Sequence, residues 1–433
     1  MTATAATTRT LRRIAATLAI LVAIVSLLSA LVAWLNVRGE EPIDTTTAAA
    51  PGRAAAEQIE RGAYLARAGN CMGCHTARGG MPYAGGRGVP TPFGDIYAPN
   101  LTPDVATGLG GWTDAQFWRA LHNGRSRDGR LLYPAFPYPN YTRITRADAD
   151  AIHAYLRSLA PVNQPNRPHA LRFPYNRQAA LAVWRALYFR PASFEADGTR
   201  SAEWNRGAYL VEGLGHCNAC HASRNALGAT ASPFDLAGGL IPVQNWYAPS
   251  LRAPREAGVA DWPAADVVAL LKTGVSPRAS VSGPMREVVG GSTQYLNDAD
   301  LRAMASYLQA LPDREIDTRP IAAPSAAGAK LYARHCAACH GEQGEGVPGA
   351  YPALAGNRTV LLDTSANLVH IVIEGGFAPS TAGNPRPFGM PPFATELNDA
   401  DVAALLSFVR GSWGNRAAPV SALEVSRFRA SAR

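Results

Sequence analysis

The hydrophobic and polar positions of this chain form one long apolar run and a series of amphipathic segments. The apolar run, residues 14–35, contains 22 residues and no charge, which is long enough for a helix to cross a bilayer. Segments 148–159, 298–311 and 398–409 each have aspartates among their first four residues and repeat apolar residues three and four positions apart, as amphipathic helices do. The pattern predicts a mainly α-helical protein with one transmembrane helix.

The residues around the apolar run predict its orientation. Arg9, Arg12 and Arg13 precede it, and because arginines favour the cytoplasmic side, residues 1–13 are expected there and the rest of the chain outside. A cleaved signal peptide is the alternative, with a candidate cleavage site at residues 48–50. The run is longer than the apolar core of such peptides, which favours a retained anchor. Either case delivers the chain to the periplasm.

A short phrase recurs ahead of the amphipathic segments. Arg-Gly-Ala-Tyr-Leu stands at 61–65 and again at 206–210, and a more distant version, Gly-Ala-Lys-Leu-Tyr, stands at 328–332. This internal repeat indicates one structural unit used three times. The predicted order is a cytoplasmic N-terminus (1–13), a transmembrane anchor (14–35), a tether (36–57), unit 1 (58–165), a linker (166–200), unit 2 (201–315), a linker (316–326), unit 3 (327–415) and a tail (416–433).

All six cysteines lie in three copies of Cys-x-x-Cys-His, one in each unit. This motif is the attachment signature of c-type haem. Two thiols three residues apart lie on one side of a helical turn and can form thioethers with the two vinyl groups of one porphyrin, while the adjacent histidine binds the iron. The sequence therefore predicts three haem c groups. The predicted covalent attachment residues are Cys71, Cys74, Cys217, Cys220, Cys336 and Cys339, and the predicted proximal iron ligands are His75, His221 and His340.

Met285 and Met390 are the predicted sixth ligands of haems 2 and 3. Each stands in a Gly/Pro-rich loop shortly before a closing helix, where a class I cytochrome c domain has its distal methionine, and Met/His ligation raises the iron potential. The matching position of unit 1 holds Phe136, which cannot bind iron. Haem 1 is therefore five-coordinate or bound by another residue, and His122 is the first candidate. Weaker candidates are Met81 and Met72.

The basic charge balance does not indicate nucleic-acid binding. The 433 residues carry a formal charge of +8, but only two are lysines, Lys272 and Lys330, and no long basic run occurs. Three haems would add two propionates each, which brings the loaded protein near neutrality. We therefore expect no nucleic-acid partner.

Residues for organic catalysis are missing from the sequence. It contains no Gly-rich nucleotide loop and no Ser-His-Asp set, and no cysteine is left over for molybdenum, iron–sulfur or zinc. We therefore expect a chain that transfers electrons and has no substrate-oxidising site of its own.

Several longer phrases resemble a known family over residues 58–412. They are Tyr83-Ala-Gly-Gly, Thr91-Pro-Phe-Gly-Asp-Ile-Tyr, Leu132-Tyr-Pro-Ala-Phe-Pro-Tyr-Pro, Gly283-Pro-Met-Arg-Glu-Val-Val and Gly389-Met-Pro-Pro-Phe. The chain resembles the trihaem cytochrome c subunits of bacterial membrane-bound dehydrogenases, which include those of alcohol, gluconate, sorbitol and fructose dehydrogenases and the cytochrome partners of molybdenum aldehyde or N-heterocycle dehydrogenases. It departs from the alcohol branch at Phe136, where that branch has methionine, and in its N-terminal anchor.

The resemblance implies three tandem class I cytochrome c domains and a partner dehydrogenase. The catalytic subunit would oxidise an aldehyde or alcohol at a molybdopterin, PQQ or flavin site, and the departure at Phe136 favours the molybdenum type. Electrons would pass through this chain to ubiquinone or another respiratory acceptor. Two alternatives stay open. The phrases Cys339-His-Gly-Glu-Gln-Gly-Glu-Gly and Leu354-Ala-Gly-Asn357 also resemble c-type subunits of terminal oxidases, and an open first haem would allow peroxidase activity.

Overall fold

The structure, a computed structural model, describes residues 3–40, 55–230, 234–313 and 325–431. Residues 41–54 of the predicted tether, residues 316–324 of the second predicted linker and the last two residues of the predicted tail lie outside the described residues. The described part of the chain is mainly helical, which confirms the predicted fold class.

The elements follow one another in this order. The helices are α1 (Ala3–Val37), α2 (Ala56–Ala68), α3 (Cys71–Cys74), α4 (Asp114–Asn123), α5 (Tyr138–Tyr141), α6 (Arg146–Ser158), α7 (Gln178–Tyr188), α8 (Ala202–Ala208), α9 (Ala264–Thr273), α10 (Met285–Gly291), α11 (Asp298–Gln309), α12 (Ala326–His335), α13 (Ala337–His340), α14 (Arg358–Leu361), α15 (Ala366–Glu374), α16 (Asp399–Gly411) and α17 (Ala422–Ser431). A π-helical segment spans Tyr209–Leu214, and 3₁₀ turns span Cys217–Ala219 and Thr293–Tyr295. The strands are β1 (Gly88–Thr91), β2 (Gly94–Tyr97), β3 (Ala170–Leu171), β4 (Gly239–Leu240), β5 (Tyr247–Ala248), β6 (Gly376–Phe377) and β7 (Gly389–Met390), and they pair antiparallel as β1-β2-β3, β4-β5 and β6-β7.

Each predicted unit is built around a pair of packed helices. The first helices α2, α8 and α12 pack against the closing helices α6, α11 and α16, respectively. A Cβ on Gly62 would overlap the carbonyl oxygen of Ala151, and one on Gly207 would overlap that of Ala303. Close helix packing therefore requires the glycine of the repeated Arg-Gly-Ala-Tyr-Leu phrase.

Side-chain caps start the three closing helices. Thr145, Asn297 and Asn398 each accept a hydrogen bond from a backbone N–H in the first turn, which satisfies one of the free donors of a helix N-terminus. In α16, Asp401 also accepts the N–H of Asn398 at 3.2 Å, so the two side chains form a reciprocal capping box.

In unit 1 the corresponding aspartate, Asp148, is buried at the boundary with unit 2. Nε of Arg61 donates to its Oδ1 at 2.9 Å, and the hydroxyl of Tyr209, from unit 2, donates to its Oδ2 at 2.6 Å. The same hydroxyl accepts the N–H of Thr145 at 3.1 Å. A tyrosine of unit 2 thus completes the N-terminal cap of a helix in unit 1.

Unit 1 makes the reciprocal contact with unit 2. Arg206 binds both oxygens of Asp300 at 2.8 Å, and the hydroxyl of Tyr64, from unit 1, donates to Oδ2 at 2.6 Å. That hydroxyl accepts the N–H of Asn297 at 3.3 Å. The two units therefore exchange tyrosines, and one hydrophobic core runs through both. Its fully buried members include Leu65, Ile144, Leu210, Leu214 and Leu301.

Unit 3 has a separate core and meets unit 2 through polar and aromatic contacts. Asn367 accepts the N–H of Tyr247 and donates to its carbonyl oxygen, both at 2.8 Å. The ring of His370 stacks on Trp246 with the centroids 4.8 Å apart. The core of unit 3 contains Tyr332, Val360, Val402, Leu405 and Val425.

The helix that carries the apolar run extends into contacts with unit 1. Residues Thr10–Val37 are long and apolar enough to cross a membrane. At its end, Asn36 accepts from Nε of Arg185 at 2.9 Å, and Arg125 donates to Glu40 at 2.6 Å. Within the predicted tether, Asn36 and Glu40 therefore have polar partners that are distant in sequence.

Two segments predicted to connect or trail the units contain helices. The first linker, 166–200, holds β3, which extends the β1-β2 sheet, and helix α7. The predicted tail, 416–433, holds α17, which packs against α15 and α16. Its Val425 is fully buried, so α17 belongs to the core of unit 3.

Candidate haem sites

The three Cys-x-x-Cys-His motifs adopt the same backbone turn. In each, the histidine N–H donates to the carbonyl oxygen of the first cysteine, at 3.0, 2.9 and 2.9 Å along the chain. The histidine carbonyl then accepts from the N–H of a downstream glycine, at 2.8, 2.9 and 2.8 Å. The donor glycines are Gly85, Gly238 and Gly346. Both thiols of each motif thus leave one short helical turn, with the histidine directly after it.

A proline carbonyl orients each motif histidine. Nδ1 of His75 lies 2.8 Å from the oxygen of Pro99. The equivalent distances are 2.7 Å from His221 to Pro249 and 2.9 Å from His340 to Pro352. Because a carbonyl oxygen only accepts, Nδ1 carries the proton and Nε2 keeps its lone pair. Such a second hydrogen bond is what fixes a metal-binding histidine in structures generally.

Electrostatics keep the first two of these histidines neutral. Burial lowers the pKa of His75 and of His221, against the opposing effect of the proline carbonyls. Metal binding requires the deprotonated nitrogen, so at neutral pH both imidazoles are ready to bind iron.

The third motif opens into a large cavity. The cavity has a volume of about 1470 Å³, and its lining includes Cys336, Cys339, His340 and Met390. It exceeds the roughly 300–1,000 Å³ of most ligand pockets. Two thiols, an oriented imidazole and a thioether around one space of this size form a donor set that fits a covalently held haem. The structure thus brings together every predicted site residue of unit 3.

Met285, the predicted sixth ligand of haem 2, is the first residue of α10. Its side chain is half-buried and packs against the core shared by units 1 and 2. Its neighbours Pro284 and Arg286 line the cavity of unit 3, whereas Met285 does not. The loop before α10 therefore separates the core that contains Cys217 from the cavity of the third motif.

In unit 1 the position of the missing methionine is filled by an aromatic cluster. Phe136 is half-buried, with its ring centroid 5.4 Å from that of Tyr141. His122 is buried, stacks on Trp118 at 4.5 Å and has Nδ1 3.5 Å from the hydroxyl of Thr142. The structure thus surrounds His122 with the packing of α4 and α5.

The first two motifs lie close together. Burial raises the pKa of Cys220, the nearby Arg224 opposes that shift, and the Cys74 thiol of unit 1 adds to it. Tyr141 of unit 1 links the two motifs directly, because its hydroxyl donates to the carbonyl oxygen of Gly69 at 3.2 Å and its ring centroid lies 5.7 Å from that of His216. Cys74 and Cys220 are 146 positions apart in the sequence. The packing of units 1 and 2 around one shared core brings their motifs together.

Two arginines at these motifs were missed in the sequence. Arg87 donates to the carbonyl oxygen of Gly73 at 2.6 Å, and Arg224 donates to that of Ala219 at 2.5 Å. Gly73 and Ala219 each precede the second cysteine of their motif. The two arginines follow that cysteine at different spacings, 13 and 4 residues, so the sequence held no common signal for them. Arg87 also pairs with Glu287 of unit 2 at 2.8 Å.

Comparison with known proteins gives consistent matches. The cytochrome c family model matches residues 59–160 and 325–413. The cytochrome c subunit of quinone alcohol dehydrogenase from Gluconacetobacter polyoxogenes is 38% identical, over 86% of this chain and 84% of its own length. The gluconate 2-dehydrogenase cytochrome c subunit of Pantoea cypripedii is 36% identical, over 86% and 89%. The fructose dehydrogenase cytochrome subunit of Gluconobacter japonicus is 35% identical, over 92% and 87%. The resemblance inferred from the sequence is thereby confirmed, and the chain belongs to the cytochrome c family, among the cytochrome c subunits of dehydrogenases.

Proposed function

We propose that this chain carries three haem c groups and transfers electrons from a dehydrogenase catalytic subunit to a respiratory acceptor. The observation that carries the proposal is the thrice-repeated turn in which two thiols precede a histidine held by a proline carbonyl. The attached haem irons would supply one-electron chemistry between the ferric and ferrous states. The names of the related dehydrogenase subunits support a catalytic partner.

Each haem would be held by residues of its own unit. Cys71 and Cys74, Cys217 and Cys220, and Cys336 and Cys339 would form the thioethers, and His75, His221 and His340 would bind the iron. Met390 lines the same cavity as the third motif, which supports it as the sixth ligand of haem 3. Met285 at the start of α10 is our choice for haem 2, and His122 is our candidate for haem 1.

The arrangement of the units supports a route for electrons. Units 1 and 2 share one core, which would hold haems 1 and 2 at a fixed spacing. The cavity of unit 3 is walled on one side by Pro284 and Arg286 of unit 2, next to Met285. Haem 3 would therefore lie beside the ligand loop of haem 2, and this chain would supply a continuous series of three redox centres.

We place the chain in the bacterial cytoplasmic membrane, with helix α1 as its single anchor and the haem units in the periplasm. The 28-residue apolar helix Thr10–Val37 and the arginines before the apolar run support this orientation. Ubiquinone, which resides in the membrane, is the acceptor that this placement favours.

The first experiment is purification of the full chain from detergent-solubilised membranes, with a haem stain, haem quantification and mass spectrometry of the co-purifying proteins. We expect three haems per chain and a large dehydrogenase subunit, whose cofactor identifies the substrate class. Terminal-oxidase subunits in its place, or the cytochrome alone with turnover of hydrogen peroxide, would contradict the proposal.

A further inference from the structure

Helix α7 exposes an apolar face and buries one charged side chain. Arg185 is 3% exposed, and the only other side chain of α7 that is fully buried belongs to Leu181. In contrast, Val183 is 48% and Leu187 is 62% exposed, and Tyr188 is exposed beside them. The solvent-facing side of a helix on a water-soluble domain normally carries charged and polar residues. The exposed face of α7, defined by Val183, Leu187 and Tyr188, therefore fits an apolar environment.

This exposed face of α7 adjoins the end of the transmembrane helix. The side chain of Asn36 donates to the carbonyl oxygen of Ala182 in α7 at 2.9 Å, and Arg185 of α7 donates back to Asn36 at 2.9 Å. Asn36 is buried by this contact, whereas Trp34, two residues earlier, is 60% exposed. Helix α7 therefore lies at the level where α1 would leave the bilayer.

The surroundings of α7 are basic. Between residues 151 and 194 the chain has six arginines and no acidic residue. Arg177 immediately precedes α7 and Arg190 follows it by two positions, and both are exposed. Arginines combined with tryptophan and tyrosine are characteristic of protein surfaces at the boundary between lipid headgroups and acyl chains.

We propose that the exposed face of α7 is embedded in this boundary region of an anionic phospholipid bilayer. Three observations favour a lipid bilayer as the occupant: the exposed apolar face of α7, the hydrogen bonds of α7 to the end of the membrane helix and the cationic residues on both sides of α7. The inference rests on the proposed membrane anchor, because the anchor sets the depth at which α7 would lie.

The consequence is a fixed orientation of the haem units on the membrane. Nε1 of Trp184 in α7 donates to the carbonyl oxygen of Leu227 at 2.9 Å, and Leu227 follows the second Cys-x-x-Cys-His motif by six residues. One side of α7 is thus attached to the haem-binding loop of unit 2 while the other contacts lipid. Units 1 and 2 are then held against the bilayer surface.

Photolabelling from within the bilayer tests this placement. The full-length, haem-loaded chain is reconstituted alone into phosphatidylcholine–phosphatidylglycerol vesicles that contain a phospholipid with a diazirine on its acyl chain. After illumination, labelled peptides are identified by mass spectrometry. We expect label on α1 and on the exposed face of α7, and none at Val105 or Leu423, which are 77% and 61% exposed but distant from this face in sequence.

The outcomes separate this inference from the anchor itself. Label on α1 without label on α7 overturns the inference and leaves the anchor intact, whereas absence of label from both overturns the anchor.

A matched pair of variants strengthens the test. In the double variant Val183→Glu, Leu187→Glu we expect labelling of α7 to fall at least tenfold, with labelling of α1 and the haem spectrum unchanged. The control Leu423→Glu, which places the same charge on an exposed leucine of unit 3, should leave labelling of both helices unaltered. Unchanged labelling of α7 in the double variant, or an equal fall in the control, overturns the inference.

Discussion

The tyrosine exchange between units 1 and 2 can be tested by removing one hydroxyl at a time. Tyr209→Phe deletes the donor to Asp148 and the acceptor for the N–H of Thr145, and it keeps the ring that packs in the shared core. Tyr64→Phe is the reciprocal change at Asp300. Burial, reinforced by the neighbouring carboxylates, raises the pKa of both tyrosines, so the hydroxyls stay protonated and donate at any pH of interest.

The structure predicts different magnitudes for the two variants. A hydrogen bond to a charged acceptor contributes about 1.5–3 kcal/mol, and a buried acceptor left without its donor costs about 1–3 kcal/mol. Asp148 and Tyr209 are both buried, so Tyr209→Phe removes the hydrogen bond and leaves Oδ2 of Asp148 without that donor. Because Arg61 still binds Asp148, we expect a total loss of about 3 kcal/mol. The bond from the N–H of Asn297 to Tyr64 is exposed, so water replaces it and Tyr64→Phe costs about 1.5 kcal/mol.

Hydrogen–deuterium exchange of the full-length, haem-loaded protein measures these losses helix by helix. At about 1.4 kcal/mol per factor of ten, we expect amides of α6 to exchange on the order of 100-fold faster in Tyr209→Phe, and those of α11 roughly 10-fold faster in Tyr64→Phe. Helix α16 is the internal control because Asp401 caps it without a partner unit. Tyr188→Phe is the matched variant, since that hydroxyl makes no hydrogen bond within the described residues. Exchange within threefold of the parent in both variants, or a larger effect of Tyr64→Phe, would refute the reasoning.

Three further predictions concern the haem sites and acid stability. Met285→Ala and Met390→Ala should each convert one low-spin haem to a five-coordinate or water-bound form and lower its potential, seen in the absorption spectrum and in redox titration; an unchanged spectrum would reject that ligand. His122→Phe should increase the high-spin signal of haem 1 alone in electron paramagnetic resonance, and no change would remove His122 as its ligand. Burial of Asp300 opposes its ionisation, but the hydrogen bonds from its arginine and tyrosine partners outweigh this effect and lower its pKa. Its contribution to stability is thus complete above about pH 4, the unfolded-state pKa, and is lost as the pH falls through the lower folded-state pKa; in denaturant titrations Asp300→Asn should flatten that acid dependence.

Local sequence patterns predicted the helices that end each unit, because a cap, early aspartates and apolar spacing all lie within a dozen residues. The sequence also contains a local signal for the start of α17. Ser421 and Glu424 form a reciprocal pair at its start, with Glu424 accepting the N–H of Ser421 at 3.1 Å and donating its own N–H to the serine hydroxyl at 3.2 Å, the spacing of a capping box.

The docking of α1 onto unit 1 could not be predicted in this way. Asn36 meets Arg185 across 149 positions and Glu40 meets Arg125 across 85. In a single sequence, a polar residue after an apolar run gives the same signal whether it belongs to a free tether or binds a folded unit. Only tertiary contacts decide between them. The same limit applies to Arg87 and Arg224, whose common role at the haem motifs is spatial and not positional.

The difference between the third unit and the other two follows from one residue of the repeated phrase. Lys330 stands where the first two units have their exchanging tyrosines, Tyr64 and Tyr209. Without a neighbour's hydroxyl, α16 closes its own N-terminus through Asp401 and Asn398, so it needs no other unit for those hydrogen bonds. Helices α6 and α11 do need one, because their aspartates are committed to an arginine and to the neighbour's tyrosine. Units 1 and 2 should therefore unfold together and unit 3 separately, and the contact of α1 with unit 1 positions unit 2 as well.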